Sequence, residues 1–507
     1  MTVAQARPAR YRSLLARTAL VAAVVLATAE AAAPASRADP AADPAPYRQS
    51  ADVADGKLSF AFASDVPVGL VDVHYTQNGT GQQDLRMDSS DGRHWTKTVP
   101  APPAAAKVGY WFTYGDDRLV QDTSHFTDPG HGDQGSGTFP LVFSNDTKGA
   151  WRDDQIWVTV LGQREPGRWS YLKPDGTLAP IDHDEEKAPG HLTKNGHDYA
   201  AMSFTLAQAK DHQVTLPDHL EGGRAYVSLG APMYLGISPD DKGWAGPDLH
   251  NPGDPNADVF FDWYEFTYQH GVIPFGGNTT QVDMFGFPMT ARLEQQESHF
   301  DQKVGITESR AQVYAQYANA VGPAFKGLAD QYRILAPRSA GQFAAGAAQG
   351  DYLKKQIDDV WSEYRNQQFT LTRSGQTFTG RVGDDGLLHF AKDGKDGFTL
   401  REPTTQDVVQ CSGALASQGM NTTELELGAE FCAAFNRGVA SDTSKWHTDP
   451  SYYPANTPAN DYSDFFHQIS VDHRTYGFAY DDVNDQSSVK ILPNADPPTR
   501  LTIGIGW

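Results

Sequence analysis

The sequence predicts a mainly β protein: a small β-sandwich, then a β-rich body into which a mixed α/β lobe is inserted. Three observations predict it. Short alternating apolar runs separated by Gly-containing turns fill residues 51–127. Further strand-like, period-two segments recur between 156 and 285. From 308 to 439 the apolar spacing changes to that of helices, and strand character returns near the C-terminus.

At the N-terminus, Arg7, Arg10, Arg12 and Arg17 precede the apolar run Thr18–Thr28, and Ser36-Arg37-Ala38 follows. A basic start, a short apolar stretch and a small-x-small site make residues 1–38 a secretory signal peptide, so a secreted, extracellular protein is expected. The run is shorter than the roughly 20 apolar residues needed to span a bilayer. Residues 39–46, DPAADPAP, form an extended linker.

Within 47–145 the strands expected are Lys57–Phe62, Val68–Tyr75, His94–Val99 and Val108–Tyr114, with turns at Asn78-Gly79 and Asp91-Gly92. Several strands at this spacing in about 90 residues read as a β-sandwich. Alternation puts Tyr110, Phe112 and Tyr114 on one face and Trp111 on the other, so one set belongs to the core. The polar stretch Asp128–Gly137 closes the module.

The main domain, 151–507, divides into a β body (about 151–305 and 450–507) and an α/β lobe (about 306–449). Body strands are expected at Ile156–Leu161, Met202–Leu206, Arg224–Leu229, Val259–Tyr268 and Thr279–Phe285, with a return at Tyr476–Tyr480 and Leu501–Gly504. Helices are expected at Glu308–Tyr317, Asp351–Tyr364, Asp407–Gln418 and Glu424–Val439. Short strands at Phe369–Thr372, Phe378–Val382 and Leu387–Phe390 lie between them. A cleft between two such lobes suits a long ligand.

Cys411 and Cys432 are the two cysteines. In an oxidising compartment they are expected to form a disulfide worth roughly 3 kcal/mol, the alternative being two buried thiols. No metal-ligand spacing, phosphate loop or nucleophile elbow is present, so no metal and no cofactor are expected. The run Asp481–Asp485 lacks the glycine and terminal Glu of a calcium hand and reads as a polar loop. A net charge of −22 repels phosphate backbones and anionic membranes, which excludes nucleic acid as a partner and favours a neutral polymer.

One region combines carboxylates with aromatic residues: VFFDWYEFTYQHGVIPFGGNTTQVDMFGF, 259–287. Period two puts Trp263, Glu265 and Thr267 on one strand face, and Thr279, Gln281 and Asp283 on one face of the next. A hairpin centred near Pro274 would set Glu265 almost opposite Asp283. Two carboxyl groups across a sugar bond are what glycoside hydrolysis requires, separated by roughly 6.5–9.5 Å when water attacks with inversion. Trp263, Phe266 and Tyr268 would desolvate Glu265, as suits a general acid, while the polar setting of Asp283 suits a base.

Tyr226-Val227-Ser228-Leu229-Gly230, Asp262–Thr267 and Asn278–Pro288, with the tail Tyr476–Gln486, resemble glycoside hydrolase family 64. The resemblance implies a thaumatin-like β-barrel beside an α/β lobe, flanking a wide groove for β-1,3-glucan. It implies endo-acting, inverting hydrolysis of laminarin-like glucan to oligosaccharides such as the pentaose. The family's acid falls on Glu265 and its base on Asp283. Thr267, Asn278, Thr279 and Thr280 match positions lining the groove, with Trp263 beside the acid. Val71–Tyr75, Gly109–Tyr114 and Asp122-Thr123 resemble carbohydrate-binding module family 56, which implies β-1,3-glucan as partner and Trp95, Trp111 and Tyr114 as flat faces for sugar. A monomer is expected. Two rival readings stay open: a non-catalytic glucan-binding thaumatin-like protein, and a glucanase that retains configuration.

Overall fold

The computed structural model describes residues 47–507 apart from 55–56, 65, 78–79, 101–107, 116–119, 123–125, 128–136, 166 and 374. The expected signal peptide, the 39–46 linker, the Asn78-Gly79 turn and nearly all of the polar stretch 128–137 lie outside the described residues.

Two antiparallel sheets share the N-terminal core. One holds Tyr47–Ala54, Lys57–Ser64 and His94–Pro100; the other holds Thr80–Arg86, Leu70–Gln77, Val108–Gly115 and Val120–Asp122, with Phe126–Thr127 also paired to Val108–Gly115. Strand alternation sends Leu58, Phe60 and Phe62 inward against Val71, Val73, Phe112 and Tyr114.

The main body consists of two open sheets packed across one core. The longer runs Leu178–Pro180, Arg168–Leu172, Ile156–Glu165, His219–Leu229, Phe260–Gln269, Ile273–Thr279, Lys490–Ile491. The shorter runs Gln213–Leu216, Phe139–Asp146, Arg500–Gly506, Met289–Gln295, Phe300–Gly305. Val158, Val227, Tyr264 and Phe266 from the first meet Leu141, Phe143, Leu293 and Ile503 from the second, each fully buried side chain contributing roughly 1.5–3 kcal/mol. Among the described residues neither sheet closes into a barrel. Phe139–Asp146 pairs in parallel with Arg500–Gly506, so the expected module end near 145 moves to the N-terminal side of Phe139.

The lobe carries helices Arg310–Ala320, Lys354–Asn366, Thr405–Gln410 and Thr422–Asn436 around an antiparallel meander, Phe369–Arg373, Gln376–Val382, Leu388–Lys392 and Lys395–Leu400. Asn421 caps the last helix, accepting from the Glu424 amide at 3.0 Å while Glu424 reaches back to the Asn421 amide. Cys411 and Cys432 are joined, with Cα atoms 5.6 Å apart.

Two expectations about the tail are corrected. Helix Asp461–Ile469 packs through Tyr462, Phe465 and Phe466 against the lobe helix Arg310–Ala320, so much of 450–489 belongs with the lobe and not with the body. Tyr476–Tyr480 is a turn region, not a strand; the run Asp481–Asp485 that follows is the expected loop, with Asp481 fully buried inside it. Its carboxylate accepts from Arg437 Nη2 and the Gly477 amide and pairs with His467 Nε2, at 3.0, 2.9 and 3.0 Å. Burial alone would raise this carboxyl; His467 and Arg437 outweigh it and hold it below the usual range. No helix among the described residues is long and apolar enough to cross a membrane.

Candidate active site

Glu265 stands mid-strand in the longer sheet, on the face turned away from the shared core. Register places it directly between Arg224 on one neighbouring strand and Asn278 on the other, so these three side chains form a row across the sheet. Arg224 Nε lies 3.2 Å from Glu265 Oε1, and the Trp263 indole N–H donates to the same oxygen at 3.0 Å. Phe266 and Tyr268, expected to desolvate the acid, point into the opposite core. The immediate neighbours of Glu265 are therefore a cation and an indole edge. Its side chain retains 21% exposure, which leaves room for a ligand to approach.

Asp283 arrives differently. The hairpin turns at His270–Val272 with Gln269 opposite Ile273, so Pro274 lies inside a strand and Asn278, not Asp283, faces Glu265. The expected strand Thr279–Phe285 is also corrected: the ladder stops at Thr279, the chain bends, and Met284–Phe285 pairs with Ile334–Leu335. Asp283 sits in that bend. Its Oδ1 is 3.4 Å from Arg338 Nε, and its backbone oxygen accepts from the Ala336 amide at 2.9 Å.

The bend is tied to the lobe at several points. Ser488 Oγ donates to Thr279 O at 2.5 Å, Tyr462 OH to Gln281 O at 2.7 Å, and Thr475 Oγ1 to Gln281 Oε1 at 2.7 Å. The Gln281 amide in turn donates to Tyr476 O. Asp262 fixes the far side by accepting from the Gly286 amide at 2.9 Å. It is buried, and burial pushes its carboxyl up to about 7 against the pull of those backbone amides.

Arg224 pairs with Glu265 and lies within electrostatic reach of Asp283, whose own ion-pair partner is Arg338. Burial works against the positive charge of Arg224, but Tyr226, Glu265 and Asp283 more than offset this and hold the guanidinium firmly charged. Tyr226, fully buried, is raised first by burial, opposed by Arg224, and raised further by the same two carboxylates. Each carboxylate thus has its own arginine partner, Arg224 for Glu265 and Arg338 for Asp283.

The other expected site residues separate into groups. Thr267 is part-exposed beside Glu265 and accepts from the Gly222 amide at 3.1 Å. Asn278, Thr279 and Thr280 are buried at 6%, 1% and 2% exposure, which makes the latter two part of the support beneath the site instead of its lining. Asn278 Oδ1 finds no hydrogen-bond partner among the described residues. Trp263 is buried at 4%, with its polar edge committed to Glu265. In the N-terminal module, Trp95 and Tyr114 belong to the core and present no flat face to sugar. Trp111 lies on the outer side, stacked on His74 at 5.0 Å, and is also buried.

Arg224, Arg338 and Asp262 were missed by sequence reasoning. Arg224 had a signal, as the one charge in the apolar-rich stretch Arg224–Leu229. Arg338 had none, because only tertiary folding brings it to Asp283.

A family model described as β-1,3-glucanase, glycoside hydrolase family 64, matches residues 137–505. The chain belongs to this family. A second model, carbohydrate binding module family 56, matches residues 49–123. A glucan endo-1,3-beta-glucosidase of Cellulosimicrobium cellulans is 24% identical over 368 residues, covering 69% of this chain and 62% of that relative. The chain therefore spans less than two thirds of that curated relative. Among solved structures, a β-1,3-glucanase domain of this family from Clostridium beijerinckii is 31% identical with a TM-score of 0.68, covering 74% of this chain and 100% of its own. The laminaripentaose-producing β-1,3-glucanase of Paenibacillus barengoltzii, solved with laminarihexaose, is 33% identical with a TM-score of 0.58, covering 91% and 100%.

Proposed function

We propose that this family member is a secreted endo-β-1,3-glucanase that hydrolyses laminarin-like glucan with inversion, Glu265 acting as general acid and Asp283 as general base. The observation that carries the reading is the pair itself: two part-exposed carboxylates from separate segments, Glu265 beside Arg224 on the outer sheet face and Asp283 beside Arg338 in the bend that follows the next strand. Water attacks the anomeric carbon and gives a proton to Asp283. Glu265 gives its proton to the glycosidic oxygen as the carbon–oxygen bond breaks, and solvent then resets both groups. With Oε1 of Glu265 occupied by Arg224 and Trp263, Oε2 is the oxygen that carries the transferred proton. Arg338 keeps Asp283 oriented between turnovers.

The two-sheet body corresponds in this reading to a thaumatin-like scaffold, and the groove runs between it and the α/β lobe. Thr267 and Asn278 contact the glucan, and release of laminari-oligosaccharides such as the pentaose is expected. The N-terminal unit acts as a β-sandwich glucan-binding module, raising local substrate concentration without entering the chemistry. Residues 1–38 direct export, and the mature chain works as a monomer without nucleic-acid or membrane partners.

Reducing-end release from laminarin tests the reading. The wild type should release reducing ends and Glu265→Gln should lose about a thousandfold in kcat. No release by the wild type would establish the non-catalytic glucan-binding alternative instead.

A further inference from the structure

Trp263, expected among the substrate-binding residues, is buried and spends its indole N–H on Glu265. Two other tryptophans packed on that side remain partly open: Trp169, in the longer sheet, and Trp244, in the separate two-stranded pair of Gly236–Ile237 and Trp244–Ala245. Register fixes the side on which Trp169 projects. Gln163 pairs with Trp169, Leu161 pairs with both Tyr171 and Arg224, and Arg224 pairs with Glu265. Since directly paired residues share a face and residues two apart along a strand do as well, Trp169 stands on the side of the acid.

Trp244 is already engaged. The Arg224 guanidinium carbon lies 5.5 Å from its ring centre, and Tyr226 meets it edge-on at 5.8 Å. It in turn braces Trp169, with centroids 5.6 Å apart and planes at 79°. Besides Trp244, Trp169 is bordered by two glycines: a Cβ at Gly222 or Gly243 would come within 3.5 or 4.0 Å of its ring. Gly222 also has φ +58°, a conformation in which glycine is favoured. The Trp169 backbone is pinned on both sides, its oxygen accepting from the Ile181 amide and its amide donating to Lys242 O.

We propose that Trp169 is a stacking platform for a glucosyl ring of the bound glucan, with Trp244 as its brace and Arg224 linking that brace to Glu265. The proposal rests on the glucanase reading and adds a binding subsite to it. Pyranose rings carry an apolar C–H face that packs on an aromatic plane, while their hydroxyls stay at the rim where water or polar groups reach them. The platform lies on the Arg224 side of the acid, opposite Asn278, so it holds the glucan chain on one side of the bond being cut.

Calorimetric titration of laminarihexaose into Glu265→Gln, alone and combined with Trp169→Ala or Trp169→Phe, tests this. Trp169→Ala should weaken binding about tenfold, and Trp169→Phe, which keeps a flat ring, by no more than about threefold. In the active enzyme Trp169→Ala should raise KM by a similar factor and leave kcat within about threefold. Unchanged affinity in Trp169→Ala, equal losses in the Ala and Phe variants, or no measurable hexaose binding by Glu265→Gln itself would each overturn the platform. Wild-type turnover of laminarin alongside any of these results would leave the glucanase reading standing, whereas absent turnover would sink that reading independently.

Discussion

Glu265 and Asp283 are held in place by opposite structural means. Glu265 is held by sheet register: fixed pairing with Arg224 and Asn278 leaves its position little freedom. Asp283 lies just past the end of a ladder, met directly by Arg338 and the Ala336 amide, while Ser488, Tyr462, Thr475 and Tyr476 tether the residues just before it. A group held by a regular ladder should tolerate loss of one side-chain contact. A group held by separate tethers should be sensitive to each. The acid is therefore expected to be robust and the base fragile.

The largest effect sharpens the comparison by removing each end. Asp283→Asn and Glu265→Gln should each lower kcat on laminarin by about a thousandfold, while laminarihexaose affinity measured by calorimetry changes less than about threefold. Next comes the tether. Thr475→Val leaves Gln281 Oε1 buried without its donor, which costs about 1–3 kcal/mol in denaturant melts and should lower kcat about tenfold; Thr475→Ser, keeping the hydroxyl, should restore most of it. If Thr475→Val kept full turnover, the contrast between the two carboxylates would fail.

On the ladder side, Trp263→Phe removes the indole N–H from Glu265 and should cost only about threefold in kcat, because register and Arg224 still place the acid. A loss larger than that of Thr475→Val would reverse the comparison. The smallest effect on rate belongs to Asp262, which joins the two segments through the Gly286 amide. Its folded-state carboxyl is raised to about 7, so it stays protonated in the fold where the unfolded chain has already released the proton. Its contribution to stability is thus present at low pH and is lost as pH rises from about 4 to about 7, on the order of 4 kcal/mol in all. Chemical denaturation across that range should show a shallower fall for Asp262→Asn than for the wild type, whatever the offset between them.

The same contrast explains how much was legible in the sequence. The Val259–Tyr268 alternation located the acid strand within a residue and put Trp263, Glu265 and Thr267 on one face, because a ladder imprints its period on the side chains. Helices Lys354–Asn366 and Thr422–Asn436 are legible for a similar reason, apolar residues recurring at helical spacing. The Asp283 segment carries no such imprint. Thr279–Phe285 alternates well enough to read as a strand, yet the lobe captures the backbone at Gln281 and Asp283 and pulls it out of the sheet. Tyr476–Tyr480 misled in the same way: an aromatic, Gly-containing stretch looks like a strand, but the Asp481 carboxylate captures the Gly477 amide and folds it into a turn. Phe139–Asp146 was assigned to the wrong body because its partner, Arg500–Gly506, lies at the other end of the chain. Trp95 and Tyr114 were offered to sugar when the module needed them for its core.

Proton NMR of the first sugar released from laminarin or laminarihexaose tests most directly whether Asp283 activates water against a bond protonated by Glu265. The account predicts that the α anomer forms first and then mutarotates toward the equilibrium mixture. Initial appearance of the β anomer would contradict it, since that product requires attack on the anomeric carbon to have occurred twice.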